Sequence, residues 1–242
     1  MTSSSPILIL PEDVVQIENM KRIFFIGDIH GCSLTFKKMI TKKIDLQKTD
    51  ELYCVGDYID RGPDSKGVVD FILNLRTEGY NVHTVRGNHE QMMLDSMTSI
   101  NSYMLWMLNG GEKTLESFGV ETARDLPKIY RDFFHKTDLF FQTGSFIVVH
   151  AGLNFNISHP LKDKESMLWI RGFSPDESFL QGRLLIHGHT PRSKNDIMSQ
   201  KNNSVVNIDG GCVFKYRQDM GNLVALNFNE KKLLFQPNID PY

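Results

Sequence analysis

Five short apolar runs punctuate the chain up to residue 189, and each delivers a residue able to bind a metal at or just past its end. Arg22-Ile23-Phe24-Phe25-Ile26 leads into Gly27-Asp28, Glu51-Leu52-Tyr53-Cys54-Val55 into Gly56-Asp57, and Asn81-Val82-His83-Thr84-Val85 into Arg86-Gly87-Asn88. Phe146-Ile147-Val148-Val149 ends at His150, and Leu184-Leu185-Ile186 at His187-Gly188-His189. Continuous apolar runs of this length, bounded by glycine, predict buried strands. Helical patterns over residues 34–40 and 68–75 fall between the first three runs, which predicts a parallel sheet with right-handed crossovers. Residues 91–136 read as helical, with Asp125-Leu126-Pro127 opening the last helix. Beyond residue 195 the runs become short and strand-like, over 205–208, 223–228 and 233–235, with Asn229-Glu230-Lys231 as the final hairpin turn. Residues 1–242 read as a single domain, with segment 1–20 and the tail after Gln236 expected to be poorly ordered.

Ligands of open α/β sheets bind beyond the carboxyl ends of the strands. On that rule the five runs aim Asp28, Asp57, Asn88, His150 and His189 at one edge of the sheet. Composition changes little: 40 % hydrophobic and 23 % charged residues are ordinary for a globular chain. A formal net charge of −2 gives no electrostatic reason for a nucleic-acid partner. No apolar run can cross a bilayer, and Pro11-Glu12-Asp13 cuts the Ile7–Leu10 run too short for a signal peptide, so a cytoplasmic location is expected. Cys32, Cys54 and Cys212 are scattered, which suits a reducing compartment. The oligomeric state is left open.

Asp28 and His30 stand two residues apart, so on an extended strand end both point to one side, as two ligands of one ion would. Gly27-Asp28-Ile29-His30-Gly31, Gly56-Asp57-Tyr58-Ile59-Asp60-Arg61-Gly62 and Gly87-Asn88-His89-Glu90 follow one another about 30 residues apart. Together they resemble the signature of the phosphoprotein phosphatases, a branch of the calcineurin-like metallophosphoesterases. His150-Ala151-Gly152 and Gly188-His189-Thr190-Pro191 resemble the segments that supply that family's remaining histidines. The likeness runs from about residue 22 to residue 213 and is nearest to the small bacterial and phage serine/threonine phosphatases, through Val85–Met93 and Leu108–Gly111.

The resemblance implies an α/β fold in four layers, a central β-sandwich flanked by helices. It implies Asp28, His30 and Asp57 on a first metal, and Asp57, Asn88, His150 and His189 on a second. Such mixed carboxylate, imidazole and amide ligands suit Mn²⁺, Fe or Zn²⁺ better than Ca²⁺. Direct attack on phosphorus by a hydroxide shared between the ions is implied, without a covalent phosphoenzyme. Arg61 and Arg171 take the place of phosphate clamps, joined by Asn88 in substrate binding. His89 takes that of the acid for the leaving oxygen, and Asp60 orients it. The expected substrate is a phosphorylated protein or a small phosphoester. A symmetrical dinucleoside polyphosphate hydrolase is the alternative, disfavoured by Asp60 and Glu90, where such enzymes carry alanine and aspartate. A diesterase is disfavoured by Pro191, which replaces the final histidine of GHxH, and by Arg61. A silent binding module would lack ligands that are all present here.

Other residues have plainer readings. His187 competes with His189 as a ligand, and the run's end favours His189. His83, His135 and His159 read as structural. The methionines over 92–107 read as core or lid packing rather than substrate contact. Residues 99–140 and 153–182 are expected to wall the cleft.

Overall fold

Alternate residues of single strands serve two different cores, which is why the strands are apolar throughout. The computed structural model describes residues 21–200 and 202–241. In β1 (Ile23–Ile26) Phe24 and Ile26 pack to one side with the helices, while Phe25 packs to the other. In β2 (Glu51–Cys54) Leu52 and Cys54 face the helices and Tyr53 the opposite core. Each fully buried phenylalanine, leucine or isoleucine contributes about 1.5–3 kcal/mol, so strands buried on both faces outweigh the cost of ordering them.

The expected helices lie where the patterns put them. α1 (Ser33–Lys38), which widens into a π turn over Met39–Ile44, and α2 (Ser65–Thr77) are the crossovers among β1, β2 and β3 (Asn81–Thr84), which pair in parallel. The helical stretch resolves into α3 (Asn88–Ser96), α4 (Ile100–Leu108), α5 (Gly111–Phe118) and α6 (Lys128–His135), with Pro127 at the N-cap of α6. β4 (Phe140–Gln142) and β5 (Phe146–Val149) precede α7 (Lys164–Trp169), α8 (Glu177–Leu180) and β6 (Leu184–His187). α9 (Lys194–Ser199), β7 (Val205–Asn207), β8 (Asn222–Asn227) and β9 (Lys232–Pro237) complete the order.

The strands form two sheets, ordered β3-β2-β1-β8-β9 and β4-β5-β6-β7. This corrects the expectation of one sheet edge: β1, β2 and β3 belong to one sheet, β5 and β6 to the other. Phe25, Tyr53 and Val224 of the first sheet meet Phe146, Val148 and Ile186 of the second in a shared core. Helices α1–α6 cover the outer face of the first sheet. On the outer face of the second, Ile147, Val149 and Leu185 pack with Leu153, Met167 and Leu180, so segment 153–182 forms a structural layer. The result is helix, sheet, sheet, helix.

The tail after Gln236 is a second correction. Buried Asp240 accepts hydrogen bonds from the amides of Leu34 and Thr35 at 2.9 and 3.0 Å and from the Thr35 hydroxyl at 2.5 Å. It caps α1 from a distance, where the local N-cap, Cys32, offers no side-chain bond. The expectation for segment 1–20 lies outside the described residues.

Candidate metal centre

Loops leaving the carboxyl ends of β1, β2, β3, β5 and β6 converge, and they converge under strain. His30, Asp57, Asp60, Arg61 and His189 all hold left-handed backbone, with φ of 47°, 50°, 72°, 68° and 68°. Each such residue costs roughly 1–3 kcal/mol and persists only where its surroundings fix it. Here Glu90 does much of the fixing. Its buried carboxylate accepts the amides of Asp57, Tyr58 and Gly87 at 2.9, 2.8 and 2.9 Å, tying the β2 loop to the start of α3. Burial pushes the Glu90 carboxyl up to about 8, with the charge of Asp57 adding and the Tyr58 and Gly87 amides opposing.

Asp57 is the centre of the cluster. One of its oxygens lies 3.4 Å from His150 Nε2 and accepts the His89 amide at 3.2 Å; the other lies 3.5 Å from His30 Nε2 and 4.0 Å from His89 Nε2. Two buried triads share it, His30–Asp57–His89 and Asp57–His150–His189, each with donor atoms within 4.8 Å of one another. Burial raises its carboxyl, yet the surrounding histidines, His150 first, outweigh that and hold it well below the usual range. Asn88 Oδ1 meets His150 Nε2 and His189 Nδ1, each at 2.9 Å. Asp28 accepts the His189 amide with both oxygens, at 3.2 and 3.0 Å. Burial, then the charges of Asp209 and Asp57, push its carboxyl well up.

The donor set fits divalent cations. His150 Nδ1–H donates to the Val55 carbonyl at 3.0 Å and His30 Nδ1–H to the Ile59 carbonyl at 2.9 Å, which leaves each Nε2 as a lone pair turned inward. The His150 lone pair then faces the oxygens of Asn88 and Asp57, a buried convergence of acceptors that a cation would relieve. Burial lowers the protonation of His30, His150 and His189, the last to about 3, keeping the rings neutral and able to ligate. His189 Nε2 is buried without a hydrogen-bond partner among the described residues.

Around this centre, His89 Nδ1–H donates to Asp60 Oδ2 at 2.6 Å. Arg61 Nη1 donates to His30 Nε2 at 2.8 Å. Arg171 lies outside this hydrogen-bonded cluster, exposed just past α7, with its charge helping to lower His150 and His189. His187 does not join either triad: its Nδ1 meets the Gly188 carbonyl at 3.1 Å, and its ring packs against Phe173. His83 stacks on Tyr53 and pairs with Glu51, while His135 and His159 are exposed. Met92 and Met93 are core, whereas Met104 is exposed.

Sequence reading passed over three residues. Buried Asp209 adds negative charge beside Asp28; burial pushes its carboxyl up to about 7, against a hydrogen bond from the Gly211 amide at 2.9 Å. The signal was there, since Val205-Val206-Asn207-Ile208 runs into Asp209-Gly210 just as β1 runs into Gly27-Asp28. Trp106 and Thr114 both donate to Asp60, and no local pattern marks them.

Residues 21–218 match the family profile described as calcineurin-like phosphoesterase. Serine/threonine-protein phosphatase 1 of Salmonella typhimurium is 43 % identical over 106 residues, 42 % of this chain and 46 % of that protein, so the match spans about half of that relative. The asymmetrical bis(5'-nucleosyl)-tetraphosphatase PrpE of Anoxybacillus flavithermus is 26 % identical over 242 residues, 90 % of this chain and 94 % of its own length. A protein serine/threonine phosphatase structure from Saccharomyces cerevisiae shares the fold, with a TM-score of 0.60 at 16 % identity over 92 % of this chain and 81 % of that one. With the profile covering most of the chain and buried His/Asp triads sharing Asp57, the chain belongs to the calcineurin-like phosphoesterase family and is a metallophosphoesterase hydrolase.

Proposed function

We propose that this hydrolase is a phosphomonoesterase acting on phosphoserine and phosphothreonine in proteins. The buried Asp60–His89 pair, 2.6 Å apart with His89 Nε2 facing Asp57, carries the reading. An alkoxide leaving from a serine phosphate needs a proton, and a histidine oriented by a carboxylate can deliver one, typically for 10²–10⁴-fold in rate. A departing nucleoside polyphosphate needs no such help.

Asp28, His30 and Asp57 would hold one divalent cation, and Asp57, Asn88, His150 and His189 a second, with Mn²⁺ the best suited to this donor set and Fe or Zn²⁺ the alternatives. When bound, such a pair would supply Lewis-acid charge to a phosphate and lower the pKa of the attacking water. The chain's own groups do the rest. Arg61 and Arg171 offer planar guanidinium forks that pair with two phosphate oxygens at once. Asn88 contributes its amide beside them. His89 gives its Nε2 proton to the departing oxygen, while Asp60 keeps Nδ1–H bound and the ring aimed.

The full-length likeness to PrpE favours a second reading, hydrolysis of dinucleoside polyphosphates. One experiment separates them: phosphate release from a phosphoserine/phosphothreonine peptide by Mn²⁺-loaded protein, beside cleavage of diadenosine tetraphosphate at equal concentration. A strong preference for the peptide is expected. A strong preference for the dinucleotide would sink the phosphatase reading and leave the metal centre standing.

A further inference from the structure

Asp60 is held with unusual completeness for one side chain. Its carboxylate is fully buried, and donors reach it from three directions. Thr114 Oγ1–H donates to Oδ1 at 2.6 Å, His89 Nδ1–H donates to Oδ2 at 2.6 Å, and Trp106 Nε1–H spans both oxygens at 3.0 and 2.9 Å. A donor shared between the two oxygens fixes the rotation of the carboxylate, because turning it would lengthen one bond or both. The main chain is gripped as well. The Asp60 amide donates to Thr114 Oγ1 at 2.9 Å and Ser65 Oγ at 3.1 Å, and the Arg61 amide donates to the Gly110 carbonyl at 3.3 Å. Gly110 is itself left-handed, with φ of 98°, and a β-carbon there would lie 2.9 Å from Arg61 Cγ.

Apart from His89 on α3 and Ser65 on α2, these groups come from one elbow: Trp106 from α4, Gly110 from the bend, Thr114 from α5. Helices that sequence alone reads as a wall therefore reach behind the motif loop and hold its left-handed residues. Trp106 is fully buried in the helical core, so the ring is anchored by packing and the indole N–H is aimed. Neither Trp106 nor Thr114 belongs to a metal triad.

We propose that Trp106 and Thr114 are positioning residues of the leaving-group acid, acting through Asp60 on the aim of His89. The proposal rests on the reading of His89 as that acid. Its chemical consequence is selective. Loosening Asp60 should slow departure of poor leaving groups, which need the proton, much more than departure of good ones.

The test uses the full-length, Mn²⁺-loaded protein with Trp106→Phe, which removes the N–H and keeps an aromatic ring, and Thr114→Val, which removes the hydroxyl and keeps the branched shape. Each variant should lower kcat on a phosphoserine peptide by about 10- to 150-fold, the effect of one hydrogen bond to a charged group, with little change in KM. On p-nitrophenyl phosphate the loss should stay within a few-fold, and the dependence of kcat on leaving-group pKa across an aryl phosphate series should steepen. Asp60→Asn should lose more, and adding Trp106→Phe to it should lose little further. Equal losses on both substrates, or a change confined to KM, would make Trp106 and Thr114 ordinary core residues and overturn the proposal, and two variants guard against one that fails to fold. His89→Asn is the control for the underlying reading. If it behaves as an acid variant while both positioning variants match wild type, only this inference falls. If His89→Asn keeps full activity on the peptide, the acid reading falls and this one with it.

Discussion

Adding one methyl group at Gly188 should disable the centre without removing any ligand. A β-carbon there would lie 2.0 Å from Asp28 Oδ1 and 2.9 Å from Val55 Cγ2. Such carbons do not approach heavy atoms within 3.0 Å, so Gly188→Ala must displace something by at least about 1 Å. Asp28 cannot simply swing aside, because the amide of His189 grips both its oxygens at 3.2 and 3.0 Å. The displacement therefore passes either to Asp28 or to His189, the residues proposed above for the two different metal ions. Misplacing a reacting arrangement by 1 Å can cost on the order of 10²-fold in rate. We expect Gly188→Ala to lower kcat on p-nitrophenyl phosphate by about 10²-fold and to weaken Mn²⁺ binding measured by titration calorimetry, with an unchanged far-ultraviolet spectrum. Gly144→Ala is the matched control, because a β-carbon there meets nothing within 4 Å. Wild-type turnover by Gly188→Ala would refute the placement of Asp28 against the His189 loop.

Three further outcomes follow from the same geometry. Asp57→Asn removes the carboxylate shared by both triads and should lower turnover by about 10³-fold or more and reduce bound metal measured by elemental analysis; retention of two ions per chain would argue against a shared ligand. Asp240→Ala strips the remote cap from α1 and should cost about 1–2 kcal/mol, seen as a fall in Tm of roughly 2–8 °C with turnover at 25 °C within about twofold of wild type; an unchanged Tm would show the cap to be idle. Burial pushes the Cys54 thiol up to about 12, so iodoacetamide at about pH 8 should label it only after unfolding, and labelling of the native protein in intact-mass spectra would contradict its place in the core.

The metal-competent residues were legible because their physics is local. A buried strand needs an apolar run, a sharp turn needs glycine, and the polar residue after the turn is exposed to the site. Five runs therefore announced Asp28, Asp57, Asn88, His150 and His189, and the structure brings all five together. The apolar runs alone did not show the number of sheets, because β5 carries the same signature of two-sided burial whether it extends the first sheet or packs against it; the two-sheet sandwich came from the family resemblance, and the fold bears it out. Pairing partners are set by contacts across long stretches of sequence, and a single run says nothing about them. The tail was misread for a similar reason: Asp240 looks like a polar chain end, and only its meeting with Leu34 and Thr35, about 205 residues away, makes it structural.

The same distinction explains which parts of the site escaped. His189 was separable from His187 by one local fact, the apolar run's end, and the fold obeys it by burying the His187 ring against Phe173 while His189 Nδ1 turns to Asn88. Trp106 and Thr114 had no such fact, since the bonds they make to Asp60 span 46 and 54 residues. Yet the motif they serve cannot hold its shape alone. Asp57, Asp60 and Arg61 lie within five residues and all adopt left-handed backbone, a strained run that the motif's own bond from the Gly62 amide to the Asp60 carbonyl, at 2.7 Å, does not secure by itself. Glu90 secures one end of it through the amides of Asp57 and Tyr58, and the α4–α5 elbow secures the other through the amides of Asp60 and Arg61. The signature is thus the visible half of a site whose other half, the α4–α5 elbow, adds to the bracing by Glu90 the rigidity that lets the signature residues aim.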